Sequence, residues 1–203
     1  MTETMQAPTH TFRTSLRDGT PVLIRPVMPE DKRLLQEGFA RLSEVSRYRR
    51  FMRALRELSE DQLRFFTEID YRDHMAWIAL DLSQSGHPAV GIARYIRYDD
   101  RPNVAEVAVT TVDAYQGKGV GTLLLSVLAQ SAVENGVDTW IANVLTENTP
   151  MLKLFKDLGA REATFEEPGL ATVEIPVPRD PRKTPRTAAG KVFRAVAREV
   201  AHS

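Results

Sequence analysis

Residues 105–136 read AEVAVTTVDAYQGKGVGTLLLSVLAQSAVENG, and three patterns follow one another in this stretch. Residues 105–112 alternate and are rich in valine and threonine, which predicts a β-strand. Residues 123–129 repeat leucine and valine at helical spacing, and Gly136 suits the end of that helix. Glycines at positions 117, 119 and 121 separate the two patterns and let the backbone approach a ligand closely. Because the first amides of a helix are unpaired and carry partial positive charge, the stretch predicts a phosphate-binding strand, loop and helix.

Three motifs compete to explain the glycine loop. A dinucleotide-binding fingerprint, Gly-x-Gly-x-x-Gly, fits poorly because Leu124 stands where the third glycine belongs. A P-loop fails because Lys118 precedes two glycines instead of following the last one. The third pattern, Gln/Arg-x-x-Gly-x-Gly/Ala, is met by Gln116, Gly119 and Gly121. It resembles the pyrophosphate loop of the GNAT family of N-acyltransferases, and a glycine turn that binds no ligand is the alternative.

A second stretch strengthens this resemblance. Residues 139–144 predict a short strand, and residues 148–160, NTPMLKLFKDLGA, predict a helix. Pro150 suits the first helical position, either of the two residues before it can cap the helix, and Gly159 ends it. The segment looks like the other GNAT signature, in which an asparagine, a hydrophobic residue and an aromatic residue precede Leu-Gly-Phe/Ala. The two signatures together, in this order and separated by one helix and one strand, are far more specific than either alone.

The composition limits the class of protein. The chain has 203 residues and zero formal net charge, and its length suffices for one well-buried α/β domain plus a tail. It has no cysteine, which excludes disulfides and thiolate metal sites; we expect no metal and a cytoplasmic location. Residues 1–11 lack the apolar core of a signal peptide or an anchor, and no apolar run reaches transmembrane length.

The other segments predict the rest of the same domain. Asp-Gly at positions 18–19 predicts a hairpin within residues 12–24. We expect helices over 29–42, 43–52 and 59–69, strands over 74–82 and 89–98, and a last strand pair over 162–177. The resemblance covers residues 12–177 and implies the GNAT fold. This is a mixed α/β fold whose central, mostly antiparallel sheet splays between the glycine-loop strand and the next strand, with helices on both faces. Residues 1–11 are expected to be a flexible N-terminus.

Residues 178–203 form a segment of different composition. Three prolines and four basic residues in 178–186 predict a basic, structureless linker. Residues 187–201 predict a helix with Val192, Ala195, Val196 and Val200 on one face. The segment is net positive, so we expect a solvated tail or one docked on its own acidic domain. Binding of this segment to nucleic acid or to a membrane surface is a weaker interpretation, since Phe193 is its one aromatic residue.

An arginine-rich stretch, residues 41–51, spans the end of the first predicted helix and most of the second. It is similar to a segment in the GNAT domains of bacterial protein-lysine acetyltransferases. In one interpretation Tyr48 and Phe51 are core residues and the arginines form a solvated face. In the other, these helices wall the acceptor cleft and select the amine.

The resemblance implies that acetyl-CoA is the co-substrate and names the residues that hold it. The amides of residues 117–122 are expected to bind its pyrophosphate, and the strand ending at Val112 runs beside its pantetheine arm. Val109 would donate its N–H to the thioester carbonyl, and Lys118 either contacts a phosphate or is a solvated lysine. The residues expected to bind the co-substrate are Val109, Thr110, Thr111, Gln116, Gly117, Lys118, Gly119, Val120, Gly121, Thr122 and Asn148.

Glu106 is the predicted general base. An acceptor amine must lose a proton to attack, and strand alternation places Glu106 opposite Val107 and Val109, so that it can face the cleft. Its position matches the strand glutamate of the protein-lysine acetyltransferase branch, and nearby burial is expected to raise its pKa. A salt-bridged surface glutamate is the alternative.

Two positions depart from the wider family pattern. Phe155 stands where many relatives carry a tyrosine that protonates the leaving thiolate, and Asn143 stands where others carry the base. No side-chain acid is therefore expected. Four residues are held in reserve as catalytic candidates, each more readily explained as structural: Tyr115, Tyr95, Tyr98 and His74.

Together these observations predict an acetyl-CoA-dependent N-acetyltransferase that works by direct transfer in a ternary complex. A ping-pong route through a thiol is excluded because the chain has no cysteine. Protein lysine is the favoured acceptor, and a small amine or antibiotic is the alternative within the enzyme class. A non-catalytic acyl-CoA-binding sensor is the alternative outside it. The sequence does not indicate the oligomeric state.

Overall fold

A mixed eight-stranded sheet runs through residues 10–200, the part of the chain that the computed structural model describes. The strands are β1 (Phe12–Ser15), β2 (Pro21–Pro26), β3 (His74–Asp81), β4 (Ala89–Tyr98), β5 (Arg101–Thr111), β6 (Thr139–Leu145), β7 (Thr164–Glu167) and β8 (Leu170–Pro176). The helices are α1 (Lys32–Ala40), α2 (Glu44–Phe51), α3 (Glu60–Thr67), α4 (Val120–Glu134), α5 (Thr149–Asp157) and α6 (Ala188–Val200). Most of the predicted flexible N-terminus lies outside the described residues.

The sheet contains a single pair of parallel neighbouring strands, and the functional site lies at this pair. The strand order is β1-β2-β3-β4-β5-β6-β8-β7, and every neighbouring pair is antiparallel except β5 and β6. The parallel pairing of β5 with β6 covers Val104–Glu106 against Thr139–Ile141 and goes no further. On its other edge, β5 stays paired with β4 as far as Thr111. The two strands therefore diverge after Glu106, which confirms the predicted splay of the sheet.

Helices cover both faces of the sheet because neighbouring strand residues point to opposite sides. Ile78 lines a cavity beneath α1–α3, whereas Trp77, its neighbour, donates from Nε1 to Ser131 Oγ of α4 at 3.0 Å. α4 is apolar around most of its circumference, and Leu124, Leu125 and Leu128 are fully buried. This helix can be uniformly apolar because the sheet covers one side and α6 covers another.

Local sequence explains where several elements begin. Asp18 accepts from the backbone N–H and the hydroxyl of Thr20, which closes the β1–β2 hairpin turn, and Gly19 has a positive φ of 86°. Ser59 and Gln62 form a reciprocal capping box at the start of α3. Ser43 caps α2 by accepting from the backbone N–H of Ser46 at 3.2 Å.

The C-terminal segment packs on the domain. In α6, Ala189, Phe193, Val196 and Ala197 are buried, whereas Ala195, which was predicted to share the apolar face, is exposed. The preceding linker contains a 3₁₀ turn at Pro181–Lys183, where a structureless chain was expected. α6 contacts both α4 and α5, so its apolar face completes the covering of α4.

Two contacts fix the start of α6 against α5. Thr187 Oγ1 donates to the Asp157 carbonyl at the end of α5 (2.6 Å) and accepts from the Gly190 N–H (3.0 Å). A single hydroxyl thus satisfies one orphan group at the end of one helix and one at the start of another.

Candidate acyl-CoA site

A cleft of about 500 Å³ opens where β5 and β6 part. β5 contributes residues 106–111, β6 contributes residues 142–144, and the glycine loop with the first turn of α4 contributes most of residues 115–122. α5 and the first two residues of α6 also line it. Every residue predicted to bind the co-substrate lines this cleft except Lys118. The fold therefore brings the two sequence signatures to one site.

The glycine loop has the backbone conformation that an anion-binding loop requires. Gly117 and Gly119 have φ values of 74° and 96°, in the left-handed region that other residues adopt at a cost. Gly119 precedes the first residue of α4, so the unpaired amides of the first helical turn lie next to the glycine loop, at that end of the cleft. This arrangement of amides and helix dipole favours a phosphate or a pyrophosphate.

Lys118 turns away from the cleft and braces the loop. Its Nζ forms an ion pair with Asp18 Oδ2 at 2.9 Å and lies 4.9 Å from the centroid of the Tyr115 ring. The hydrogen bond from Lys118 is the main reason that the pKa of Asp18 falls to about 2. Its backbone carbonyl accepts from the Arg17 N–H at 3.1 Å. The β1–β2 hairpin thus supports the glycine loop from the side.

Tyr115 anchors the segment before the loop. Its hydroxyl donates to buried Asp81 Oδ2 at 2.6 Å and accepts from Gln84 Nε2 at 2.5 Å. Burial, followed by the hydrogen bond to Asp81, raises the pKa of Tyr115 to about 12. Its proton is therefore held by a structural partner, which rules against the reserve role in proton transfer.

Arg17 is a cleft residue that sequence reasoning missed. It lies at the tip of the hairpin, and a Cβ atom added to Gly119 would be 3.5 Å from the Arg17 Nε. The side chain is exposed and forms no ion pair within residues 10–200. Its distance in sequence from the glycine loop hid this contact, because only the hairpin's docking brings the two together.

We expect Arg17→Ala to weaken CoA binding about 10-fold, because a charge-assisted hydrogen bond to a phosphate contributes about 1.5 kcal/mol. The loss should shrink at high ionic strength, since salt screens exposed charges. Calorimetric titration with CoA at two salt concentrations measures both effects. Arg13→Ala, an exposed arginine on β1 outside the cleft, is the matched control. Equal affinity of the two variants would remove Arg17 from the site.

α2 forms a further wall of the cleft and is tied to the loop. The hydroxyls of Ser43 and Ser46 both donate to Asp113 Oδ1, at 2.8 and 2.9 Å, and Gln116 Nε2 donates to Ser46 Oγ at 3.2 Å. Gln116 therefore positions α2 as well as lining the cleft.

The arginine-rich stretch contributes to the wall of the cleft, as the second interpretation expected, and does not form the solvated face of the first. Arg49 and Arg50 are half-buried and line the cleft instead of forming a solvated face. Phe51 packs between Phe39 and Phe66, with ring centroids 5.7 and 6.2 Å apart. Tyr48 is 47% exposed, so the interpretation that makes it a core residue is wrong.

Glu106 is the last residue of β5 that is paired with β6, and it lines the cleft, but its side chain is exposed. The burial expected around it is therefore not found. It shares its face of the sheet with Ala108 and Thr110, because these residues alternate with Val107 and Val109. Burial lowers the pKa of half-buried Arg50, and attraction to Glu106 acts in the opposite direction.

Asn148 lines the cleft, and so do Phe155 and Asn143, the two positions that depart from the family pattern. Phe155 is buried, with 2% exposure, and offers no proton to a leaving group. Asn143 Oδ1 accepts from Thr172 Oγ1 at 2.9 Å. Asn148 is half-buried at the start of α5, and its side chain does not cap that helix.

The remaining reserve candidates, Tyr95, Tyr98 and His74, do not line the cleft. The Tyr95 hydroxyl donates to the Arg72 carbonyl at 3.0 Å and accepts from Asn135 Nδ2 at 2.8 Å, which is a structural role. Arg101 stacks on Tyr98 with its guanidinium carbon 4.3 Å from the ring centroid.

His74 gives stability a pH dependence. Burial, and then the charge of Arg94, lower the pKa of His74 from 6.5 to about 4, while Asp70 acts in the opposite direction. Since the unfolded state takes up this proton first as the pH falls, the stabilisation is complete above pH 6.5 and is lost toward pH 4. We expect about 2 kcal/mol more loss of unfolding free energy between pH 7 and pH 5 in the natural protein than in His74→Gln. Urea unfolding at the two pH values measures the loss of unfolding free energy, and His10→Gln is the control. Equal losses in the natural protein and in both variants would contradict the prediction.

Neither a metal centre nor a membrane span is found in residues 10–200. No three or more His, Asp or Glu side chains there are grouped to hold a metal ion. No helix in this range is long and apolar enough to cross a membrane.

Comparison with known proteins agrees with this geometry. A family model described as an acetyltransferase (GNAT) domain matches residues 22–161. Acetyltransferase Pat of Mycolicibacterium smegmatis is 35% identical over 163 residues, which are 80% of this chain and 48% of that protein. The chain thus spans about half the length of this curated relative.

Solved structures show the same architecture. The GNAT domain of S. lividans PAT has a TM-score of 0.77 at 30% identity, covering 84% of this chain and 99% of that one. A putative acetyltransferase from Salmonella typhimurium, solved with its cofactor acetyl-CoA, has a TM-score of 0.59 at 20% identity and covers 78% of this chain and 95% of its own. The second likeness concerns the fold alone.

Proposed function

This chain belongs to the GNAT family of acetyltransferases, and from that premise we propose that it transfers the acetyl group of acetyl-CoA directly to an amine, with protein lysine as the acceptor class. The observation that carries the proposal is the cleft between the diverging strands, which has the glycine loop beside it and the open edge of β5 along it. We place the reaction in the cytoplasm, in keeping with a chain that has no cysteine.

The cleft suits an extended molecule with a charged group at one end and a reactive group at the other. The amides opening α4, with Arg17 beside Gly119, would hold the pyrophosphate. β5 no longer pairs with β6 beyond Glu106, so its free edge can pair with the amide groups of pantetheine. The thioester would then reach Val109, whose N–H can stabilise the developing oxyanion by about 3 kcal/mol.

Proton removal is the chemical step for which Glu106 is suited. A free lysine has a pKa of about 10.4, so about one molecule in a few thousand is neutral at pH 7. As the C–N bond forms and the C–S bond breaks, the electron pair of that bond leaves on the sulfur and the amine proton passes to Glu106, directly or through water. Since Phe155 carries no acid, the thiolate takes its proton from solvent.

A protein acceptor is favoured by the surface beside the cleft. α2 exposes Val45 and Tyr48, at 55% and 47% exposure, next to the cleft residues Ser46 and Arg49. Exposed apolar side chains at the edge of a reaction cleft suit a macromolecular partner better than a small amine. The similarity of the arginine-rich stretch to protein-lysine acetyltransferases supports the same acceptor.

The deciding experiment is a thiol-release assay with acetyl-CoA and a mixed panel of lysine peptides, proteins, free small amines and aminoglycosides. We expect release with peptides or proteins and little with free amines. Release confined to small amines would replace the acceptor class. Tight CoA binding without release on any acceptor would identify a sensor instead of an enzyme.

A further inference from the structure

A second, smaller cavity lies beneath α1–α3, on the same face of the sheet as Glu106. Its volume is about 70 Å³, and it shares Arg50 and Thr110 with the acyl-CoA cleft. Most of its lining is apolar, from Leu35, Phe39 and similar residues, whereas three polar side chains line it, those of Arg50, Arg94 and Thr110. The cavity thus adjoins the cleft at Arg50 and Thr110, and it places Arg94 in an otherwise apolar lining.

Arg94 is a buried cation, 5% exposed, in the middle of β4. Its guanidinium lies 2.9 Å from His74 Nε2, 3.4 Å from the Phe66 carbonyl oxygen, and 4.3 Å from the centroid of the Phe66 ring. The low pKa of His74 keeps that ring neutral, so its Nε2 can accept from Arg94. Burial, and then the charge of Arg50, lower the pKa of Arg94 well below its ordinary value.

Both guanidinium groups lack a counter-ion. In the described part of the chain, no carboxylate forms an ion pair with Arg50 or Arg94, and Glu106 acts on Arg50 at longer range. Thr110 Oγ1, which lies at the junction of the two cavities, is buried without a hydrogen-bond partner. Proteins pair buried charges with an opposite charge because an unpaired buried ion costs several kcal/mol. Two like charges that line one cavity therefore point to an anion that residues 10–200 do not supply.

We propose that Arg50 and Arg94 recognise the terminal carboxylate of a short dicarboxylic acyl group, such as succinyl, carried by CoA. The inference rests on the proposed function, since the acyl group must arrive through the same cleft. It means that the enzyme uses acyl donors with a negative charge in addition to acetyl-CoA. The bonds change as in acetyl transfer: the C–N bond forms, the C–S bond breaks, the thiolate leaves and the amine proton goes to Glu106.

The spacing of the sheet supports this source of the carboxylate. Ala108 is paired directly with Arg94 across β5 and β4, and it is adjacent to Val109, where the thioester carbonyl is placed. The arm would lie along the free edge of β5, so β4 is two strand spacings, about 10 Å, from it, a distance that the succinyl chain and the Arg94 side chain can span together. The apolar lining suits those methylenes, and the forked donors of arginine suit the carboxylate.

Calorimetric titration without any acceptor tests the inference separately from catalysis. The probes are succinyl-CoA and its uncharged isostere 4-methylpentanoyl-CoA. We expect the natural protein to bind succinyl-CoA at least 10-fold more tightly than the isostere. Arg50→Gln and Arg94→Met should each reduce that ratio to about one. Arg53→Gln, an exposed arginine that lines neither cavity, should leave the ratio unchanged.

The possible results are distinct. If Arg94→Met does not unfold cooperatively on heating, Arg50→Gln alone decides. Equal affinity for the two probes, with acetyl-CoA still bound, overturns this inference and leaves the proposed function standing. A second overturning result is that free succinate raises the melting temperature of the acetyl-CoA complex while succinyl-CoA binds no more tightly than the isostere. The carboxylate would then come from another molecule. Absence of binding to any CoA species overturns both proposals.

Discussion

Glu106→Gln is expected to lower kcat at pH 7 by about 100-fold or more, while acetyl-CoA affinity changes less than about twofold, because general base catalysis contributes 10²–10⁴-fold. Glutamine keeps the shape of the side chain and cannot accept the proton. The residue lines the cleft at the point where β5 and β6 part, whereas the loop at residues 117–122 follows the far end of β5. Steady-state kinetics with a lysine peptide and calorimetry with acetyl-CoA measure the two quantities.

The pH profile of turnover distinguishes loss of the general base from a general disturbance of the site's structure. Without a base, turnover should follow the fraction of neutral amine and rise about tenfold per pH unit from pH 7 to about pH 10. The natural enzyme should show a shallower rise, because Glu106 removes the proton at neutral pH. Glu134→Gln, an exposed carboxylate at the end of α4, is the control and should keep the natural profile. Unchanged turnover in Glu106→Gln would exclude Glu106 as the base.

Gly190→Ala is expected to lower the melting temperature by about 10 °C, since a loss of about 3 kcal/mol shifts Tm by 2–4 °C per kcal/mol in a chain of this size. A Cβ atom on Gly190 would overlap the carbonyl oxygen of Pro185 and lie 3.0 Å from its carbon. Both are backbone atoms, so no side-chain rotation relieves the overlap. Alanine is otherwise the better helix former by about 1 kcal/mol, which makes a loss of stability more telling.

The same substitution should also weaken CoA binding several-fold. Ala188 and Ala189, which precede Gly190, line the acyl-CoA cleft, and α6 must shift if the overlap is to be relieved. Thermal unfolding and CoA titration on the same samples measure both effects. Lys191→Ala changes the next residue, which is exposed, and is expected to be neutral. If Gly190→Ala melts at the natural temperature, α6 does not hold the cleft in the way that its contacts indicate.

The outcome of the sequence predictions depended on how far apart the interacting residues are. The strand, glycine loop and apolar helix of residues 105–136 were predicted because their conformations depend on alternation, helical spacing and glycine at positive φ. The predicted face of α6 was wrong at Ala195, because docking against α4 and α5 decides which side of that helix is buried. Lys118 was predicted to face a phosphate or solvent, but Asp18, from a distant hairpin, holds it in an ion pair.

The sequence alone determined the fold class, through its resemblance to the two GNAT signatures, and the backbone that is expected to hold the pyrophosphate, through short-range patterns of turn residues and hydrophobic period. Only the tertiary structure decided which charges surround the cleft. Arg17 and Arg50 reach it from separate elements, and Arg94 lies beneath it without a counter-ion among residues 10–200. It also decided that Glu106 is exposed and that α6 closes one side of the cleft. Burial and electrostatic interaction act through space between residues far apart in the chain, so no local pattern records them.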